Sequence, residues 1–534
     1  MSDSSNNSQA SEETGLRVVS DPSLALLSKG AAPALEEMVS RSLVHIETSK
    51  VSTMRHRIGE HELCDPDYRL VCIWAEELQL SPEKVLSLLL AEPEKIEELN
   101  LEWKTTIQSG KFKNLFIDGK LLRVSGMPFM EGLSIEVLVF LNVEHIRDLN
   151  ILGLPHLTKL ICNGNQLLEL NLSDLSNLTH LNCDENQLNE LNLFAVPNLT
   201  ELKCDFNQLH ELDLSGVPNL TDLCCFGNQL TELDLSGLPN LTVIDCSGNQ
   251  LTELDLSGVP NLTELWCSGN QLTELDLSCM PKLTELICPG NQLTELDLSC
   301  MPNLTELICP RNQLTALNLS EVPNLSHLNC DENQLTELDL SCVPNLTELR
   351  CDVNQLTELD LSCVPNLTLL GCNGNQLTEL DVYGVPDLTK LVCGENQLTD
   401  LDLSCVPNLT TLSCYTSQLT ELDLSCVPNL TELCFFRNQL TELDLSCVPN
   451  LAKLGCYGNQ LAGLELSCVP NLTRLSCDVN QLTELDLSCV PNLTELRLGG
   501  HSLNDLDIRP LLNLESLKYY GKNIRLIQRP DQNF

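Results

Sequence analysis

The chain has 534 residues, 75 of them acidic against 30 basic for a net charge of −45, and only 4% aromatics. Most of that charge lies between Leu157 and Gly500, where 47 Asp and Glu face 10 Lys and Arg. Such a field repels phosphate backbones and anionic lipid, so nucleic acid and membrane are poor partners, while proteins or peptides with a basic or apolar surface fit.

The first residues are polar, with no basic segment leading into an apolar one, and no run of about 18 apolar residues occurs. Neither a secretory signal nor a membrane span is expected. The 28 cysteines of a chain this large, without an export signal, read as reduced thiols. The expectation is a cytoplasmic monomer, with a signal-less secretion route left open.

In chain order, 1–19 is a disordered segment of Ser, Asn and Glu that offers little to bury. Residues 20–133 read as a mainly helical domain. Asp21-Pro22 and Ser81-Pro82 mark helix starts, and Leu35, Met38, Val39, Leu43 and Ile46 share one helical face. Tyr68 to Leu78 and Val85 to Leu90 are further helical segments. His61 and Cys64 fall in this helical stretch. Asp118-Gly119, between Phe116-Ile117 and Leu121-Leu122, signals a short β-hairpin.

From 134 to 513 the sequence repeats every 21 residues, the mark of a solenoid, and 514–534 reads as a last partial repeat and C-terminal cap. One unit is LTELxCxxNQLTELDLSCVPN, with Leu199–Asn219 a typical copy. Apolar residues at positions 4 and 6 alternate with variable 3, 5 and 7, the period-2 pattern of a short half-buried strand. Leucines at 11, 14 and 16 suggest a second short extended segment, and the proline at 20 belongs at a corner.

Position 9 is Asn165, Asn186, Asn207, Asn228, Asn249, Asn270, Asn291, Asn312, Asn333, Asn354, Asn375, Asn396, Asn438, Asn459 and Asn480, with Ser417 interrupting and His501 closing the column. A side-chain amide there can satisfy backbone groups at the bend after each strand, so the column is read as a structural ladder. Cysteine fills position 6 from Cys162 to Cys477, replaced once by Phe435. A second cysteine column at position 18 runs from Cys279 to Cys489 where earlier units carry Gly216, Gly237 and Gly258. Both columns are expected to be buried small apolar bodies, with a metal or redox ladder as the alternative. Glu and Asp at positions 13 and 15, as in Glu232 with Asp234, read as a solvated outer face, with weak divalent-cation binding as the alternative.

The Leu-x-x-Leu-x-Cys-x-x-Asn-x-Leu core resembles the leucine-rich-repeat signature, and the short unit is similar to bacterial repeats of the internalin kind. The resemblance implies a β-dominated α/β solenoid, an arc with one parallel sheet on its concave face. Position 5 varies while the framework does not, which suits a recognition strip. Within it Trp266, Ile287 and Ile308 are successive members, flanked by Glu264, Glu285 and Glu306 at position 3, with Phe206 and Phe226 a few turns earlier. This apolar group rimmed by charge is the candidate partner-binding site.

No phosphate loop, nucleophile elbow, zinc motif or dinucleotide fingerprint occurs, so no cofactor, metal or catalytic residue is expected. The expected function is a non-enzymatic protein-interaction scaffold or signalling adaptor, binding a protein on the concave face. The alternative is a bacterial effector-type protein in which the repeats select a substrate for an activity in residues 20–133. Leucine-rich-repeat ubiquitin-ligase effectors resemble that plan, but Cys64 and Cys72, the cysteines outside the array, stand in no evident catalytic constellation.

Overall fold

A computed structural model describes residues 154–500, 503–520 and 525–532, together with the strands Arg55–Ile58, His61–Cys64, Asn114–Asp118, Val137–Leu141 and Asp148–Asn150. The segment expected to be disordered, the expected helices, Leu121-Leu122 and Cys72 lie outside the described residues. Contacts divide the chain into two units, 1–69 and 70–534.

In the first unit Arg55–Ile58 pairs antiparallel with His61–Cys64. This corrects the helical reading of His61 and Cys64. Gly59-Glu60 leaves a Gly-led two-residue link, the composition of the tightest hairpins, and that local signal outweighs the helical pattern on either side.

In the second unit every strand of the main sheet runs parallel to its neighbours. Seventeen of these strands, from Lys159–Ile161 to Glu495–Gly499, recur once per repeat, and Ser516–Tyr520 continues the ladder. At the other end Val137–Leu141 pairs with Lys159–Ile161 and also with Asn114–Asp118. The sheet therefore reaches one strand further back than residue 134, and Asn114–Asp118, read from the sequence as one arm of a hairpin, lies parallel to Val137–Leu141. Its Leu115 stands opposite Leu138, which is buried like the central leucine of the repeat strands. Positions 13–15 form their own short parallel ladders near both ends, Asp148–Asn150 with Glu169–Asn171 and Asp505–Asp507 with Arg525–Ile527.

Most turns bury seven apolar side chains; in three later turns the position-14 leucine (Leu422, Leu443, Leu485) is only partly buried. In one unit the seven are Leu262, Leu265, Cys267, Leu272, Leu275, Leu277 and Met280, none more than 7% exposed. At roughly 1.5–3 kcal/mol for each fully buried large side chain, this is the main stabilising term, and it exists only when turns stack.

Hydrogen bonds fix the stacking. The Asn270 Nδ2 group donates to the carbonyl of Cys267 in its own turn at 3.1 Å and of Cys246 in the preceding turn at 3.0 Å. Its Oδ1 accepts the Leu251 N–H at 3.0 Å. The same pattern recurs along the array, for example at Asn354 and Asn480. Two further ladders accompany it. The Thr284 hydroxyl donates to the Thr263 carbonyl at 3.0 Å, and the Asn303 amide donates to the Pro281 carbonyl at 2.9 Å. Near the C-terminus Gln532 takes a comparable place, donating to the carbonyls of Ile508 and Leu511.

Position 8 is left-handed in turn after turn. Gly holds it at Gly227, Gly248 and Gly269, but Phe206, Val353, Thr416 and Val479 also sit there at φ between 50° and 54°. For β-branched Val353 and Val479 this is a strained conformation, held by the bonds around the bend.

Ser417 breaks the asparagine ladder. It is buried, and its hydroxyl finds no partner among the described residues. Ser417→Asn should restore the missing amide contacts and raise the stability of this part of the array by about 1–3 kcal/mol. Thermal or denaturant melting with a probe near Tyr415 reads the change, and an unchanged or lower midpoint would contradict the assignment.

Candidate interaction surface

Positions 3 and 5 flank the buried leucine of each strand and are half-exposed in most turns, as in Glu264–Trp266 and Glu285–Ile287. Parallel pairing sets Trp266 opposite Ile287 and Ile287 opposite Ile308, so the three side chains form one row across three strands. The row is half-buried. The Trp266 indole N–H donates to Glu285 Oε1 at 2.7 Å, which ties the ring to the next turn. Glu285 and Glu264 both have carboxyls raised from their ordinary range, first by burial. Glu306 completes the position-3 column beside them.

Phe206 and Phe226 lie at the bend, at positions 8 and 7, and not on the strands. Their rings meet edge to face with centroids 4.7 Å apart, and Phe206 is 53% exposed. The turn bearing Asp245 and Ser247 separates them from Trp266.

A second aromatic group lies at position 7 of three successive turns, Tyr415, Phe436 and Tyr457. Phe436 and Tyr457 have centroids 4.8 Å apart, and the Arg437 guanidinium lies 5.6 Å from the Tyr457 centroid. Glycines make room for it: a Cβ at Gly394 would come within 2.7 Å of the Tyr415 ring, and one at Gly455 would collide with Phe436. The sequence carries this signal in its position-7 column, but reading position 5 alone passes over it.

Position 7 also does structural work. Asp184 Oδ1 accepts the Asp205 N–H at 2.8 Å, and Asp205 Oδ1 accepts the Phe226 N–H at 2.8 Å. Asp331, Asp352 and Asn373 repeat the arrangement, ending with Asn373 Oδ1 accepting the Gly394 N–H at 2.6 Å. Burial, then the adjacent carboxylate, pushes Asp205 up to about 8 and Asp331 up to about 7, while burial raises Asp184 to about 6.

The two cysteine columns differ. Position 6 is buried throughout, and burial raises thiols such as Cys456, to about 12, and Cys204, so these remain protonated apolar bodies. Position 18, expected to be buried as well, is not. Cys279, Cys300, Cys342, Cys363, Cys426 and Cys447 are exposed, and Cys405, Cys468 and Cys489 partly so. Size is not a constant requirement there. A Cβ at Gly258 would come within 2.7 Å of the Leu235 carbonyl oxygen and Ser236 Cα of the preceding turn, but Gly237 has open space around it, and Asp174 and Glu321 hold the same position.

The acidic columns also have distinct roles. Glu at position 13 is solvent-exposed, whereas Asp at 15 caps its own turn: Asp276 Oδ1 accepts the Ser278 N–H at 2.9 Å. That bond and the serine hydroxyl hold the Asp276 carboxyl below its usual range. Among the described residues no three His, Cys, Asp or Glu are placed to hold a metal ion.

Comparison with known proteins agrees with this geometry. A profile for leucine-rich repeats (2 copies) matches residues 218–258 and 260–300. The functional domain of InlJ from Listeria monocytogenes, which includes a cysteine ladder, shares 37% identity with a TM-score of 0.57, over 58% of this chain and 70% of that one. YopM from Yersinia enterocolitica shares 27% identity with a TM-score of 0.62, over 86% of this chain and 99% of that one. The plant peptide hormone receptor RGFR1, solved in complex with RGF2, is alike in fold at 19% identity and a TM-score of 0.53, over 72% and 81% of the two chains. No curated protein sequence matches the chain.

Two measurements probe this surface. Mass-spectrometric mapping after brief alkylation of the native protein should find position 18 labelled and position 6 unlabelled until denaturant is added. Labelling of both columns at the same rate would refute the burial difference. The raised carboxyls give a pH dependence. Where the folded state holds a proton that the unfolded chain has lost, stability falls as pH rises. The window runs from about pH 4, the ordinary carboxylate value, to the folded values near 6, 7 and 8 for Asp184, Asp331 and Asp205. The melting temperature should therefore drop between pH 5 and pH 8.5. Asp205→Asn keeps the acceptor for the Phe226 N–H, as Asn373 does naturally, and should flatten part of that drop, on the order of 2 kcal/mol at the alkaline end. A variant that melts in parallel with wild type across the range would show that Asp205 does not titrate as stated.

Proposed function

The chain belongs to the leucine-rich-repeat proteins, and from that premise we propose that it is a non-enzymatic interaction scaffold that binds a protein partner on its sheet face, centred on Trp266, Ile287 and Ile308. The leucine-rich-repeat fold is in general a scaffold for protein–protein interaction, and no helix among the described residues is long and apolar enough to cross a membrane. The likeness to a receptor solved with its peptide hormone supports a peptide or protein ligand for such a face.

The observation that carries the reading is the contrast between an unvarying frame and this one row. Trp266 presents a large, half-exposed aromatic body whose N–H is already bound to Glu285, so the ring can be covered by a partner without stranding a polar group. Ile287 and Ile308 extend the apolar surface, while Glu264, Glu285 and Glu306 supply a charged border that favours a partner with basic groups around an apolar centre. Phe206 with Phe226, and Tyr415 with Phe436 and Tyr457, lie at the bend edge of the same face and suit secondary contacts. Free thiols exposed at position 18 fit a reducing compartment, which supports a cytoplasmic role as an adaptor.

Affinity purification with wild type and Trp266→Ala in parallel, followed by binding measurements on the protein lost from the variant, tests the proposal. The substitution should weaken binding at least tenfold, the scale of an interface hot spot, with an unchanged melting curve. Equal binding by wild type and a folded Trp266→Ala would remove this row as the site.

A further inference from the structure

The outer face carries a second feature that the sheet face does not explain. A groove of about 1670 Å³ runs across the turns from Glu190 to Asn318. Its floor is the position-14 leucines, such as Leu233, Leu254 and Leu275, each still 6–7% exposed. Its walls are the columns at positions 13 and 15, from Glu211 and Asp213 to Glu295 and Asp297. At one end stands Phe194, which replaces the usual serine and is 66% exposed. At the other end Ala316 and Asn318 replace the acidic pair and interrupt both walls.

The chain supplies no cation to this groove. Of its ten Lys and Arg between Leu157 and Gly500, seven stand at strand positions 3 or 5, Arg311 and Arg437 at position 8, and Lys282 at position 21. None lines the groove, and among the described residues no ion pair includes one of its carboxylates. On the sheet face, by contrast, Lys203 lies 3.4 Å from Glu201 and Arg497 2.9 Å from Glu495. Position 15 has an internal use as a turn cap. The position-13 glutamates have none that the fold requires, yet they recur beside a partly open apolar floor.

We propose that this outer groove docks a cationic amphipathic helix of another protein, apolar side chains on the leucine floor and Phe194, lysines or arginines between the two carboxylate walls. The spacing suits a helix. Turns repeat at about 4.8 Å along the strand ladder, and an α-helix at about 5.4 Å, so one basic residue per helical turn can keep step with the five fully acidic turns. An extended strand brings a same-side residue only every 6.7 Å or so and falls out of step sooner. The site is on the opposite side of each turn from Trp266 and does not depend on the proposed sheet-face function.

The test uses the full chain and a dye-labelled amphipathic peptide of about 15 leucines and lysines, long enough to span the groove at about 1.5 Å per residue. The triple variant Glu232→Gln, Glu253→Gln and Glu274→Gln should weaken binding at least tenfold and lessen its salt dependence. The matched triple Glu348→Gln, Glu432→Gln and Glu495→Gln, the same charge change on strands of the sheet face, should alter it less than twofold. Trp266→Ala should leave it unchanged. Equal losses from the two triples would mean diffuse attraction to an acidic protein and overturn the proposal. Hydrogen exchange on the unmodified protein gives a second reading. Peptide-induced protection along 211–297 at positions 11–16 supports the groove, and protection confined to the strands overturns it.

Discussion

A buried asparagine amide, repeated every 21 residues, is the contact on which the rest of the molecule depends. Each such side chain satisfies a backbone N–H of the turn before it and carbonyls of both turns, as Asn270 does with Leu251, Cys246 and Cys267. The bend after each strand would otherwise strand those groups away from water, at a cost of about 1–3 kcal/mol apiece. With the bend fixed, the strand register follows, and with the register, each leucine stacks on the leucine of the neighbouring turn. The long hydrophobic core is therefore a consequence of a polar ladder. Leucine alone would collapse without specifying a turn length, whereas the amide accepts one geometry and transmits it to the next unit.

That division of labour explains what could be read in advance. Period, strand position and the apolar columns were legible because each is enforced some seventeen times, and every enforcement leaves the same residue in the same place. The asparagine geometry was legible for the same reason. Features whose cause lies between turns were not. Gly216 and Gly258 suggest that position 18 wants a small buried residue, but the backbone of the preceding turn is close only at some turns, Gly237 has open space, and the cysteines there are exposed or half-exposed. Position 8 reads as freely variable, yet it is held at positive φ in turn after turn, so the variation from Gly to Val353 conceals a shared constraint. Column 7 mixes Asp, Ser, Pro, Gly and aromatic residues because some of them cap the next N–H and others pack on one another. Asn114–Asp118 was less legible for a different reason. Turn spacing loosens there, so its parallel pairing with Val137–Leu141 left no repeat signal, and the other arm of the expected hairpin lies outside the described residues.

The candidate site was legible in position but not in environment. Column 5 placed Trp266, Ile287 and Ile308 side by side, and the parallel register does set them opposite one another. It could not reveal that the indole N–H is committed to Glu285, which turns a flanking charge into a support for the ring. Nor could it reveal Tyr415, Phe436 and Tyr457, which become a group only when the bend is folded and Gly394 and Gly455 vacate the space their rings need.

Charge is distributed by the same logic of faces. A scaffold built from one repeated sentence should repeat its charges too, and the outer columns do so in most turns, with no cation among them and neutral residues at a few, such as Ala316 and Asn318. The cations instead occur singly, nearly all at strand positions 3 and 5 or at the bend, where they lie beside acidic neighbours such as Glu201, Glu332 and Glu495. Exposed pairs of that kind add little stability, so stability does not account for their placement. What they do is lower the local field on the sheet face and give each turn a different local pattern, while the outer columns carry acidic charge without a compensating cation. Self-repulsion along the outer columns weakens the fold slightly and would be relieved by salt or by a cationic partner. A binding partner there would thus couple to stability, tightening the stack from outside, whereas a partner on the sheet face would meet a surface whose charge is partly offset by neighbouring cations and which rests on the ladder beneath it.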